Sequence, residues 1–307
     1  LELADQKGLV AYDIMTERYE ATSELQRILV NEPGVFGRLE PGSSDEPGIR
    51  ARSVHHVMKV VAGVPLRRPP WFFDIDEYGE GLADVGTHVV DLVQWTAFPD
   101  QAIDYRNDIR VLDGRRWPLV MTQKQFEQVT GEAAYPPVLA AQIRDSKFAY
   151  FCNNSVHYTL RGIHVKLDIV WNWEAPAGAG DVYEAVFRGS KANVEIRQGK
   201  PENYVPELYV VPAPDADRAE VFSKLRKKID DVQQEWPGLG MTRAEREAHI
   251  VIPEKFRVGH EAHFAQVANR FFAYLRDPKQ VPSWERPNML AKYYVSTMGV
   301  ELGKEQR

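Results

Sequence analysis

The stretch Gly162-Ile163-His164-Val165-Lys166-Leu167-Asp168-Ile169-Val170-Trp171-Asn172-Trp173 alternates along its length. Ile163, Val165, Leu167, Ile169, Trp171 and Trp173 fall on one side. His164, Lys166, Asp168, Val170 and Asn172 fall on the other. A period of two over so long a run marks a strand with one face in a core and a more polar face outside. The neighbouring segments repeat this chemistry. Residues 148–158, 181–187, 192–197 and 207–211 are rich in β-branched and aromatic side chains. Turn signals at Arg161-Gly162, Gly178-Ala179-Gly180 and Gly189-Ser190 make short connections, which favour antiparallel neighbours. The expected fold is α+β: a large, open, mostly antiparallel sheet with helices on one face.

Helical periodicity lies on both sides of this block. Residues 21–30 place Leu25, Ile28 and Leu29 inward, and 217–234 do the same with Val221, Leu225, Ile229 and Val232. Near the end, 260–275 are expected to bury Phe264, Val267, Phe271 and Leu275, and 286–303 to bury Leu290, Tyr294 and Met298. Thr122-Gln123-Lys124-Gln125 is a capping box that starts a helix running to Val129 and stopped at Gly131. A strand is expected over 53–62, followed by a proline-rich connection through Arg67, Arg68, Pro69 and Pro70 to Trp71-Phe72-Phe73. At the start, residues 1–7 read as a helix end capped by Gly8, and 9–15 as a buried strand. That order is the closing half of a βαβ unit. It divides the chain into residues 1–19, the tail of a βαβ-type unit, and 20–307, an α+β domain.

With 307 residues, 44% of them hydrophobic, the chain can bury a large core. A net charge of −6 argues against a nucleic-acid partner. No apolar run approaches the roughly 18 residues of a membrane span. The one cysteine, Cys152, excludes an intrachain disulfide and a cysteine-based zinc site, and fits a reducing, cytoplasmic setting. His260-Glu261-Ala262-His263 misses the i, i+4 histidine spacing of a zinc-protease helix, so no metal is expected there. His55 and His56 point to opposite strand faces and cannot chelate together. No G-x-G-x-x-G occurs.

The chemistry concentrates in Gly79-Glu80-Gly81-Leu82-Ala83-Asp84-Val85-Gly86-Thr87-His88-Val89-Val90-Asp91-Leu92-Val93-Gln94-Trp95. Val85, Val89, Leu92 and Val93 form an apolar helix face; Asp84, His88, Asp91 and Trp95 form another. A carboxylate one turn before a histidine can orient the imidazole and hold its tautomer. A solvated face with chance spacing is the competing reading.

Read with its neighbours, this stretch resembles the Gfo/Idh/MocA family of oxidoreductases. Its spaced Asp, Gly, His and Asp follow the family pattern. Residues 6–20 resemble the end of the family's Rossmann domain, with Arg18 as its arginine. "FRGSKANVEI" (187–196) resembles its strand–glycine–strand hairpin, and 259–295 its closing pair of helices. The 122–131 and 178–199 segments look most like the subgroup described only as a putative oxidoreductase C-terminal domain. The resemblance implies hydride transfer between NAD or NADP and a hydroxyl of a sugar or polyol. It implies His88 and Asp84 as catalytic residues, and Asp91, Arg18 and Trp71 as substrate contacts. Arg18 and Trp71 would also lie near the cofactor. The family's cofactor-binding glycines and partner lysine are absent from this sequence, so the main cofactor site is expected outside it. A homo-oligomer through an aromatic-lined sheet face is expected. An NAD-dependent glycosidase of the same fold and a non-catalytic oligomerisation domain remain alternatives.

Overall fold

The computed structural model describes residues 1–61 and 64–306. Ala62, at the end of one expected strand, Gly63 and Arg307 lie outside the described residues. The strands are β1 (Ile49–Met58), β2 (Val60–Val61), β3 (Val64–Pro65), β4 (Ile109–Thr122), β5 (Ile143–Arg144), β6 (Lys147–Leu160), β7 (Ile163–Glu174), β8 (Val182–Arg188), β9 (Ala192–Gln198), β10 (Glu207–Pro212), β11 (Gly240–Arg243) and β12 (Ala248–Val251). The helices are α1 (Glu2–Gln6), α2 (Ala21–Val30), α3 (Val85–Ala97), α4 (Gln123–Thr130), α5 (Arg218–Asp231), α6 (His260–Arg276) and α7 (Glu285–Glu305).

Ten strands form one sheet in the order β11-β12-β10-β9-β8-β1-β7-β6-β4, with β5 beside β6, and β2 pairs with β3 separately. The sheet is mixed. β1 runs antiparallel to β8 but parallel to β7, with Ser53 opposite both Tyr183 and Ile169. No hairpin joins β1 to β7, so nothing local forces them antiparallel.

Alternation places Phe148, Tyr150, Val156 and Tyr158 of β6 with Val165, Leu167, Ile169 and Trp171 of β7 in a single core under the helices. α7 crosses β4 closely because two glycines meet there: a Cβ on Gly114 would lie 2.2 Å from the Gly299 carbonyl oxygen. The capping box at α4 forms in both directions, and Gly131 ends the helix in the left-handed region at φ 84°. Asp217 caps α5 by accepting hydrogen bonds from the backbone of Ala219 and Glu220. No helix of the described residues is long and apolar enough to cross a membrane.

Four expectations are corrected. Residues 9–15 form no strand: no neighbouring strand flanks them among the described residues, and Leu9 and Ile14 are 64% and 55% exposed. The open sheet face, expected to be lined with aromatics, carries Trp117 and Tyr209 but is mostly charged or polar. Tyr158 and Trp171 are in the core and Trp173 packs against it. The open face instead carries Arg50, Arg52, Lys166, Asp168 and Glu184, because their register partners alternate with the core residues. In α6, Val267 and Tyr274 are buried, while Phe264 and Leu275 are 45% and 49% exposed. The helix rests on the turn at Thr16–Tyr19 and the turn at Pro278–Gln280, which cover only a narrow stripe. In α7, Leu290 is likewise exposed, whereas Met289, Ala291 and Val295 are buried.

Candidate active site

The segment entering α3 is fixed to the sheet before the helix starts. Gly79 adopts φ 90°, which favours glycine. At Gly81 a Cβ would lie 2.3 Å from the Cys152 carbonyl oxygen, so the backbone can lie on β6 only without a side chain. Between them, the Glu80 carboxylate accepts from Asn154 at 2.9 Å and pairs with Arg116 at 2.8 Å. Asn154 in turn accepts from the Leu82 N–H at 3.0 Å. The two glycines and the glutamate thus set where α3 begins, and with it Asp84 at the N-cap and His88 one turn on.

His88 Nδ1 is buried with no hydrogen-bond partner among the described residues. Burial pushes the imidazole below its usual range, against the raising pull of Glu17, Asp91 and Asp84. At neutral pH it is therefore the neutral form, able to accept a proton. Burial raises the Asp84 carboxyl; the Tyr78 hydroxyl, which donates to it, and the charges of His55, His88 and Arg68 pull it back. Tyr78 itself is pushed up to about 12 by burial and by Asp84. A neutral imidazole one helical turn from a carboxyl that holds its proton more tightly than usual is the equipment of proton transfer.

Asp91 and Arg18, each expected to contact substrate, meet each other. Arg18 donates to both Asp91 oxygens, at 2.6 and 2.7 Å, and to Glu285 at 2.5 and 3.3 Å. Burial alone would raise the Asp91 carboxyl, but the Arg18 charge overcomes it and holds the group below its usual range. Glu285 is raised by burial, which Arg18 only partly offsets. Both Asp91 oxygens are held at short range, whereas one of the two Glu285 contacts is long, so Asp91 takes the larger share of the guanidinium. The expected ligand contact of Arg18 is thus met by carboxylates of the chain itself. Its guanidinium also borders a cavity of 420 Å³ flanked by Tyr12, Trp95, Arg270, Tyr274 and Trp284. A second buried pair lies nearby: Lys292 donates to Asp13, which also accepts from the Tyr293 hydroxyl.

Across from α3, the end of β1 builds a cluster that the sequence did not reveal. Asp181, just before β8, receives His56 Nδ1 on one oxygen and His55 Nδ1 on the other, each at 3.1 Å, and Lys59 as well. The two histidines do leave opposite faces of β1. They converge because Asp181 lies beyond the last β1–β8 pair, Val54 with Val182, at the strand end where both faces are reachable. Burial would raise Asp181; the hydrogen bonds and charges of His55 and Lys59 win and hold it well below the carboxylate range. His55 Nε2 lies 2.5 Å from the Ser53 hydroxyl, and its ring sits on Trp171 with centroids 5.0 Å apart.

Arg68 joins the two halves. Its Nε donates to the Val57 carbonyl at 2.9 Å, and its guanidinium lies over Phe72 at 4.3 Å and Trp171 at 5.3 Å. Asp84 and Asp181 both act on its charge. Trp71 stands at the rim, its ring 5.9 Å from Tyr78. Arg68, Tyr78, His55, Lys59 and Asp181 had no shared spacing to announce them; the His55-His56 doublet and the Gly-Ala-Gly turn before Asp181 were the available signals. Cys152, expected as a small buried hydrophobe, is buried, with its thiol pushed up to about 12 by burial.

The family described as "Putative oxidoreductase C terminal domain" covers residues 25–304. This chain belongs to that family, of the Gfo/Idh/MocA type. Among family structures, one described as a putative oxidoreductase from Parabacteroides merdae ATCC 43184 is 44% identical, with a TM-score of 0.97. The match covers 100% of this chain and 70% of that one. Two more distant likenesses show the fold alone. KijD10, a 3-ketoreductase from Actinomadura kijaniata in complex with NADP and TDP-benzene, is 11% identical with a TM-score of 0.51, over 96% of this chain and 63% of that one. The transcriptional regulator Gal80p from Kluyveromyces lactis is 10% identical with a TM-score of 0.53, over 100% and 61%. Among curated proteins none matches.

Proposed function

We propose that this chain is the substrate-binding and catalytic portion of an NAD(P)-dependent oxidoreductase that acts on a hydroxyl of a sugar or polyol. The observation that carries the reading is His88: a neutral imidazole with an unpartnered, buried Nδ1, one helical turn from a carboxyl at an N-cap. An unmet buried nitrogen costs stability, and a group left unsatisfied in a folded core is a mark of a functional position.

The described residues contain no strand–glycine loop–helix cradle for a dinucleotide, so they do not fit the whole cofactor. The reading therefore seats NAD or NADP on residues outside this chain, in a dinucleotide-binding domain of which residues 1–19 are the tail. A nicotinamide supplies the hydride acceptor. The chain's own residues handle the proton: His88 takes it from the substrate hydroxyl or returns it in reduction, and Asp84, steadied by Tyr78, orients the imidazole or a neighbouring hydroxyl. Lys59 pairs with Asp181, and Arg68 stacks on Phe72 and Trp171 within reach of the Asp84 and Asp181 charges, which suits a neutral substrate. A fluorescence titration of the 307-residue chain with NADH is expected to show no micromolar binding; a micromolar Kd would refute the division of labour.

The reading includes a cytoplasmic protein that self-associates through the open sheet face. That face mixes both signs of charge, so a two-fold copy can match Arg50, Arg52 and Lys166 with Asp168 and Glu184. Sedimentation velocity is expected to give a dimer or larger species that dissociates as salt rises; a monomer at every salt concentration would rule it out.

A further inference from the structure

Trp71 is the one aromatic of its turn that is not used for packing. The 3-10 turn Pro70–Phe73 opens on two prolines, which restrict its backbone before any contact forms. Phe72 and Phe73 are both buried, Phe73 against Phe126 at 5.3 Å and Tyr150 at 5.1 Å. The preceding residue is tied down twice: the Arg68 N–H donates to the Val129 carbonyl at 2.8 Å, and its side chain to the Val57 carbonyl. On this rigid support Trp71 is 58% exposed. An indole held in water by a preorganised turn loses almost no further freedom on binding a ring.

Its position relative to the proton-handling groups is set by Tyr78. The Tyr78 hydroxyl donates to Asp84, and the Tyr78 ring faces Trp71 at 5.9 Å between centroids. Trp71 is thus one ring's width outside the place where a reacting hydroxyl would meet Asp84 and His88. Two of the three cations nearby are already engaged, and the third lies against α4. Arg68 stacks on Phe72 and Trp171, Lys59 is paired with Asp181, and the Arg67 guanidinium lies against Gly131 at the end of α4. Among the described residues, Arg68 and Lys59, the cations closest to Asp84 and Asp181, are therefore not free to receive a phosphate or a carboxylate.

Resting on the functional reading above, we propose that Trp71 forms an outer subsite and that the substrate is a neutral two-ring glycoside. The reacting sugar lies at Asp84 and His88, and the second ring, sugar or aryl, stacks on the indole.

The test uses full-length protein with NAD or NADP and matched pairs: glucose with cellobiose, galactose with lactose, xylose with xylobiose. For at least one pair the two-ring member is expected to have a kcat/KM about tenfold higher, the size of one good aromatic stack, carried by KM. Trp71→Ala should bring the ratio to about one, and Trp71→Phe should keep most of it. A ratio near one in the unsubstituted protein overturns the proposal. So does a ratio that Trp71→Ala leaves intact, including the case where that variant weakens NADPH binding instead. If no pair is oxidised, the functional reading fails on its own, and the subsite is judged by saturation-transfer NMR with cellobiose and 4-nitrophenyl β-glucoside. Signals from the second ring that vanish in Trp71→Ala support it; no such signals in the unsubstituted protein overturn it.

Discussion

Replacing His88 by alanine in the full-length protein is expected to cut turnover by about 10²–10⁴-fold, the span that a positioned acid–base group supplies, while leaving the melting temperature almost unchanged. The two halves of this expectation come from one fact. His88 Nδ1 is buried and unpartnered, so deleting the ring breaks no hydrogen bond there and removes an unmet polar atom. A structural histidine would behave in the opposite way, with lost stability and lost activity together. The pH dependence follows from the direction of the shift. Burial lowers the imidazole, and oxidation needs it neutral, so kcat/KM should hold down to a pH below the usual imidazole value of about 6.5 and fall only beneath it. In the reduction direction, which needs the protonated ring, the same group should give the mirror-image limb. An unchanged rate in His88→Ala, measured by NADH absorbance, would remove the residue from the mechanism and leave the non-catalytic alternative standing.

Arg18→Ala is expected to be the most destabilising single substitution near the site, by about 3–5 kcal/mol. It would leave Asp91 and Glu285 facing each other in a dry interior without their shared cation. Both carboxylates and the guanidinium are buried, so water replaces the four hydrogen bonds at 2.5–3.3 Å poorly. The melting temperature should fall by roughly 5–15 °C. Arg18→Lys should recover little, because an ammonium cannot address both oxygens of Asp91 and reach Glu285 at once. The double variant Arg18→Ala/Asp91→Asn should lose less than the sum of its parts, since the second change removes a stranded charge. Thermal melts within one or two degrees of the unsubstituted protein would instead return Arg18 to the role of ligand contact.

The sheet's inner strands were legible because each buries one face and so repeats every second residue. β4 was missed for the converse reason. Its 14 residues include Gly114, Arg115, Arg116 and Pro118, and register shifts between Val111 and Asp113 and between Trp117 and Leu119 break the alternation twice. Residues 9–15 carry a strand's composition without a strand's neighbours, and composition cannot report neighbours. The spacing on α6 correctly marked an apolar stripe but could not say whether anything in this chain covers it. At the candidate site, Asp84 and His88 were readable because one helix carries both. His55, Arg68, Tyr78 and Asp181 come from a strand end, two loops and a turn, and the seat of β1 between β8 and β7 brings them together.

The buried pair of Arg18 with Glu285 spans 267 residues. On a ribosome adding about 5–20 residues per second, Arg18 emerges roughly 15–50 s before the carboxylate that completes its shell. The turn at Thr16–Tyr19 can meet Asp91 early, yet α7 arrives last and closes both this pair and that of Lys292 with Asp13. The two pairs therefore close only once α7 has been made. A chain released before α7 would keep most of its sheet while leaving the buried Arg18 and the half-buried Asp13 short of their partners, and would present itself to quality-control proteases as unfinished.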